Sequence, residues 1–430
     1  MKNLLKISLA TLLLAGVVSC GHDDDGVTVI PVVTVVPDGG AIAGGPFDFS
    51  VGDGEEDKIA DGSITINGAI GAKFAWVVTD ADGKTILGIA DDYTGPNFET
   101  AGVGNCLLWY LAYNGELEGA AVDGLVANLK GDFDLSNSIA INRTQAPNIV
   151  GLAQGNANFS LLVEAVTRPA FGTEYTDLLS SDGPLTVFAP TNDAFVALLT
   201  ELGVNSLGDI DDDTLKSVLN LHVIADAKVK STDLPTEQTT TKVAGGFVKI
   251  NGTEITDGRG RVANVVGADN FATNGVVHAI DKVLLPADMN IVMIAQNNPA
   301  FSSLVTAITR PSFGTTFIDI LTGDGPLTVF APTNDAFEAL LAELGLDSLA
   351  DVDDVTLEAV LKLHVIAGAE ITSLDLPTSA TEIETAGGMV TINGTVITDA
   401  NGRESNVIIA DVDASNGVIH AIDKVILPKL

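Results

Sequence analysis

Beyond residue 148 the chain carries two kinds of hydrophobic spacing in succession. Ile149, Leu152, Ala153, Phe159, Leu162, Val163 and Val166 recur at the helical period, which predicts a helix over 149–167 closed by Arg168-Pro169. Leu185 to Phe188 is a short apolar strand ended by Ala189-Pro190. Thr191 is placed to N-cap a helix from Asp193 to Leu202, with Gly203 as its C-cap. Asp212-Asp213 start another helix, through Leu215, Val218, Leu219 and His222. From Val243 the pattern becomes short β-rich runs between Gly245-Gly246, Asn251-Gly252 and Asp257-Gly258, with strands over 262–266 and 276–285. Helices precede strands without βαβ alternation, which argues an α+β class.

The same pattern then repeats. Gly183 to Phe195 recurs residue for residue as Gly325 to Phe337, and Asn274 to Val283 recurs as Asn416 to Val425 with one Val-to-Ile change. Every pair is offset by 142, without a gap, and 89 of the 139 positions in 148–286 are identical in 290–428. A period of that size is a domain, so each copy should hold its own core. The join at Pro286-Ala287-Asp288-Met289 is short, and the copies are expected to be close neighbours.

Residues 40–145 read as all-β. Ser63 to Asn67 and Phe74 to Thr79 alternate like strands, and Asp80 to Gly83 is a hairpin turn before Thr85 to Gly88. Short strands between turn signals suggest a small sandwich. Period two along 107–113 puts Trp109 and Tyr113 on one face and Tyr110 on the other, with Trp109 expected in the core. Cys106 reads as a small buried hydrophobe.

Lys2 and Lys6 precede an apolar run from Ile7 to Val18, too short for a stable membrane anchor, which ends in Val17-Val18-Ser19-Cys20. This resembles a bacterial lipobox, with Cys20 the lipid acceptor after removal of 1–19. Asp23-Asp24-Asp25 opens an acidic tether over 20–39 and resembles the surface-export cue of some Gram-negative lipoproteins. The expected location is therefore the outer membrane, exposed at the surface and held by lipid alone. Charge narrows the partners. With 21 basic against 57 acidic residues the net charge is −36, which repels phosphate backbones and excludes nucleic-acid binding.

Thr186-Val187-Phe188-Ala189-Pro190-Thr191-Asn192-Asp193-Ala194-Phe195 resembles the first signature of fasciclin-like domains, and Asn274 to Pro286 resembles the second. Leu221-His222 and Leu363-His364 lie where that family has a central histidine, often after tyrosine, which is leucine here. The resemblance covers 146–429. It implies two α/β wedges, 146–288 and 289–430, each a β-sandwich-like core with helices packed on it. It also implies extracellular adhesion and matrix contact without catalysis. The signature positions are Thr186, Asn192, His222, Asn274 and His278, with Thr328, Asn334, His364, Asn416 and His420 as their counterparts. They are expected to be structural. A metal site on the four histidines would need a cysteine or ligand-spaced acid beside them, and none is there. No metal or cofactor is expected, and no catalytic constellation appears. In animal members an Asp-aliphatic pair before the second signature is linked to receptor contact. The corresponding Asp411-Val412 is a candidate adhesion site, where copy 1 has Asp269-Asn270.

The reading is thus a surface lipoprotein presenting two modules to matrix, polysaccharide or a cell-surface ligand. The alternative is a binding component of a carbohydrate-uptake or degradation system, with residues 40–145 as the reader. That region holds both tryptophans and three of the four tyrosines, the side chains that sugar platforms and binding hot spots use.

Overall fold

The computed structural model describes residues 35–429. The leader 1–19, Cys20 and most of the 20–39 tether lie outside the described residues. The N-terminal strands are β1 (Ala41–Ala43), β2 (Phe47–Val51), β3 (Thr65–Asn67), β4 (Lys73–Asp80), β5 (Ile86–Ala90), β6 (Gly104–Glu118), β7 (Lys130–Leu135) and β8 (Ile139–Gln145).

The chain forms two compact units, and they do not divide at 145. Among the described residues, the first comprises 35–45, 62–92 and 106–139; the second takes 46–61, 93–105 and 140–429. The reason is strand pairing. β2 runs parallel to β8, from Phe47 opposite Ile141 to Val51 opposite Gln145, and β8 leads straight into the first repeat.

In the first unit, β4 pairs antiparallel with both β5 and β6, and β7 pairs with β6. Ala75, Val77, Ile86, Leu111 and Leu129 form its core. Trp76 is buried with its ring 4.8 Å from that of Tyr110. Trp109, expected in the core, is only half-buried. Its indole lies over Gly83 in the β4–β5 turn, and its N–H donates to the buried Thr79 hydroxyl at 2.9 Å. Cys106 is buried.

Copy 1 contains α1 (Ile149–Gly155), α2 (Ser160–Val166), α3 (Glu174–Ser180), β9 (Leu185–Pro190), α4 (Asn192–Leu202), α5 (Asp212–Asn220), β10 (Val223–Ile224), β11 (Thr239–Val243), β12 (Gly246–Asn251), β13 (Glu254–Thr256), β14 (Val262–Ala272) and β15 (Gly275–Ile280). Its sheet order is β10-β9-β15-β14-β13-β12-β11, with β9 and β15 parallel. Alternation along β9 explains why all six of its residues are buried. Leu185, Val187 and Ala189 face the helices, while Phe188 packs with Val248, Ile250 and Ile255 in a second core. The helix expected over 149–167 breaks at Asn156, whose extended backbone ends α1 and whose side chain caps a short 3-10 turn before α2. α5 starts at Asp212, with Asp212 and Asp213 in its first turn, and its cap is the preceding Asp211.

Copy 2 repeats these elements as α6 (Ile291–Asn297), α7 (Ser302–Ile308), α8 (Thr316–Leu321), β16 (Leu327–Pro332), α9 (Asn334–Leu344), α10 (Asp354–Leu363), β17 (Val365–Ala367), β18 (Thr381–Thr385), β19 (Gly388–Asn393), β20 (Val396–Thr398), β21 (Glu404–Ala414) and β22 (Gly417–Ile422). Its sheet has the same order. Among the described residues, no helix is long and apolar enough to cross a membrane.

Candidate docking surfaces

In copy 1, three side chains converge on one loop, 227–231. Thr186 of β9 is wholly buried; its hydroxyl donates to the Ala227 carbonyl at 2.7 Å and accepts from the Val229 N–H at 2.8 Å. His278 of β15 is equally buried, with Nε2 2.9 Å from the Val229 carbonyl and Nδ1 accepting from the Asp269 N–H at 3.2 Å. Asp269 sits in a bulge of β14 at φ +55, a left-handed conformation uncommon outside glycine. Its carboxylate accepts from the Ser231 N–H at 2.8 Å and from the Ser231 hydroxyl. Copy 2 reproduces this frame. Thr328 holds Ala369 and Ile371, His420 holds Ile371, and Asp411, at φ +56, holds Ser373.

The other signature residues bind further from the loop. Asn274 accepts from the Ile149 N–H and donates to the carbonyls of Leu179 and Ser181; Asn416 does the same for Ile291, Leu321 and Gly323. Asn192 and Asn334 tie α4 and α9 to the preceding 3-10 turns through Ala157 and Pro299. His222 has Nδ1 2.8 Å from the Val218 carbonyl, and its Nε2 accepts from the Leu284 N–H at 3.0 Å. His364 makes the same pair of bonds to Val360 and Ile426. Burial pushes both rings down to about 4, so each is neutral and has both nitrogens engaged.

Outward from the 227–231 loop lies a small cationic surface that the sequence reading missed. Lys228 and Lys230 stand over the Phe271 ring, their ammonium groups 4.6 and 5.7 Å from its centre. Both bind one acid from the N-terminal stretch. Glu55 accepts from Lys228 at 2.8 Å and from Lys230 at 2.6 Å, and Lys228 also donates to the Asp53 carbonyl. Partial burial opposes charge on Glu55, but the two lysines outweigh it and hold its carboxyl below the usual range.

The corresponding surface of copy 2 is covered by copy 1. Thr240 of β11 donates to the Asp411 carboxylate at 2.6 Å. Lys249 of β12 reaches the Ala410 carbonyl at 3.4 Å, and Lys242 lies 3.7 Å from Asp375. Phe247 is buried beside them, lining with Asp411 and Val412 a groove of about 240 Å³. Gly258 makes the approach possible, since a side-chain carbon there would fall 2.4 Å from the Ala287 nitrogen and 2.5 Å from an Asp413 oxygen. Burial, followed by the neighbouring Glu370, pushes Asp413 up to about 7, against the pull of Lys249. This geometry corrects the reading of Asp411-Val412 as an adhesive contact. Asp411 is 2% exposed, its carboxylate taken by Ser373 and Thr240, and Val412 packs on the core of copy 2. A single copy's sequence cannot reveal this, because the covering residues belong to the other copy. The lysine pair was visible only by comparing the repeats, since Glu370 and Thr372 occupy the corresponding positions.

A family model described as the fasciclin domain matches residues 157–286 and 299–428. Transforming growth factor-beta-induced protein ig-h3 of Sus scrofa is 31% identical over 298 residues, covering 64% of this chain. This chain spans only 40% of the length of that relative. Protein sll1483 of Synechocystis sp. is 40% identical over 149 residues, which is 33% of this chain and 75% of that protein. A solved FAS1 domain pair from the insect cell adhesion molecule fasciclin I covers 64% of this chain and 98% of its own, at 21% identity and a TM-score of 0.32.

Proposed function

The chain belongs to the fasciclin domain family, and from that premise we propose that it is a non-enzymatic adhesion or matrix-association protein of the cell surface. Its ligand would be matrix, a polysaccharide or a cell-surface molecule. We place it on the outer membrane, anchored by lipid on Cys20. The observation that supports this reading best is the docked pair itself. The family-signature side chains form hydrogen bonds that brace the fold, and copy 1 presses onto copy 2 through Thr240 and Phe247. An arrangement of that kind suits a module that presents surface rather than one that carries chemistry.

One observation favours the uptake reading: the half-buried Trp109 and Tyr113 of the first unit leave aromatic surface available for stacking on sugars. An array of glycans and matrix proteins probed with 35–430 and with 146–430 separates the two. The adhesion reading expects 146–430 to retain the binding. Binding lost with residues 35–145 would favour uptake instead.

A further inference from the structure

The joint between the copies is short and pinned on both sides. Leu285 is held to copy 1: its N–H donates to Asp257 at 3.0 Å, and its carbonyl accepts from the Gly258 N–H at 3.1 Å. The Met289 carbonyl is held to copy 2 by the Ser415 N–H at 2.9 Å. Pro286, Ala287 and Asp288 lie between these anchors. The copies can therefore turn about this stretch without breaking either anchor.

Charge is unevenly matched across the joint. Lys242 of copy 1 faces Asp375 at 3.7 Å, and Arg259 faces Asp288 of the linker at 3.4 Å. The Asp411 carboxylate is taken by Ser373 and Thr240, and Asp257 is bound to Arg261 at 2.8 Å. His420 of β22 is held below its ordinary range by burial, with both ring nitrogens engaged. That leaves Lys249 opposite both Glu370 and Asp413, one cation for two carboxylates. Lys249 favours charge on Asp413, while burial, Glu370 and Asp257 oppose it. The equivalents of Glu370 and Asp413 in copy 1 are Lys228 and Phe271. The unmatched acids thus stand on the surface that the other copy covers.

We propose that this joint is a proton-controlled hinge: the copies stay docked while Asp413 carries a proton and swing apart about 286–288 when it ionises. Docking the ionised form would press a second carboxylate against one ammonium group, beside the tightly packed backbone of Gly258 and Ala287. Opening returns Asp413 to water and parts Thr240 from Asp411 and Lys249 from the Ala410 carbonyl. Asp413 has an ordinary value of 3.8 and is pushed up to about 7 in the docked form. The ratio of docked to open molecules should therefore fall about tenfold per pH unit from about 4 to 7 and level off above. The hinge does not depend on the adhesion reading.

Single-molecule energy transfer on the full chain tests this. Dyes go on Asn251→Cys and Asn393→Cys, exposed positions in equivalent turns of the two copies, in a Cys20→Ala background that leaves the buried Cys106. A low-transfer population should grow between pH 5 and pH 7 and hold steady to pH 8, with circular dichroism unchanged. Asp413→Asn should remove the growth. Glu370→Gln should shrink the open population at pH 8, and Lys249→Met should enlarge it. A transfer distribution that is the same at pH 5 and pH 8 overturns the proposal. So does a pH response that Asp413→Asn leaves intact, or one that follows a loss of circular dichroism, which would be unfolding.

Discussion

Asn274 shows how one side chain can hold three segments. It binds the start of α1 and two carbonyls at the end of α3 from the turn before β15, and no other residue type offers one acceptor and two donors in that span. Asn274→Ala and Asn416→Ala should each cost about 2–4 kcal/mol, because buried partners are left unpaired. Urea titration of 146–430 measures this, and a change within experimental error would refute the role. The buried histidines set a pH dependence. His222 and His364 have an ordinary value of 6.5 and sit at about 4 in the fold. Between those values the unfolded chain binds protons that the folded chain refuses, so stability should fall as pH drops from 6.5 toward 4. Melting temperatures across that window check the sign. These residues were legible from sequence because their tasks are local to one copy's strands and caps. Asp411 was not, because what buries it is Thr240, 171 positions away.

At the scale of elements, the sequence announced β9, α4 and the hairpins of each copy through their caps and turn pairs. It misjudged α1 and α2 because the apolar stripe continues across Asn156, where only the backbone turns. It placed a domain edge at 145 because composition changes there, whereas β2 returns to pair with β8 and carries 46–61 into the second unit. The β11–β12 face against β21 has its own titration. Asp413, with an ordinary value of 3.8, is pushed up to about 7, so the fold holds a proton there that the unfolded chain has lost. This contribution declines as pH rises from about 4 to 7, by at most about 4 kcal/mol, and opposes the histidine trend. Asp413→Asn should therefore stabilise 146–430 increasingly over that range and level off above it. A gain that is the same at pH 5 and pH 8 would show that Asp413 is not the titrating group.

For the whole molecule, the proposed anchor is lipid on Cys20, ahead of a docked pair of fasciclin domains. Replacing Cys20 with Ala should release the protein from membranes; a Cys20→Ala chain that still fractionates with the outer membrane would rule lipid out as the anchor. The scarcity of aromatic anchors in the repeats, which hold Tyr175 and no tryptophan, implies weak binding per molecule. Many molecules on one surface would multiply it through effective concentration. The most direct test is a shear-flow assay on cells that display the intact chain, the chain without 146–430, or no chain, over surfaces coated with the ligands from the array. The account predicts retention only for cells displaying the intact chain. Cells displaying it that detach as readily as cells lacking it, on every coating, would contradict the account.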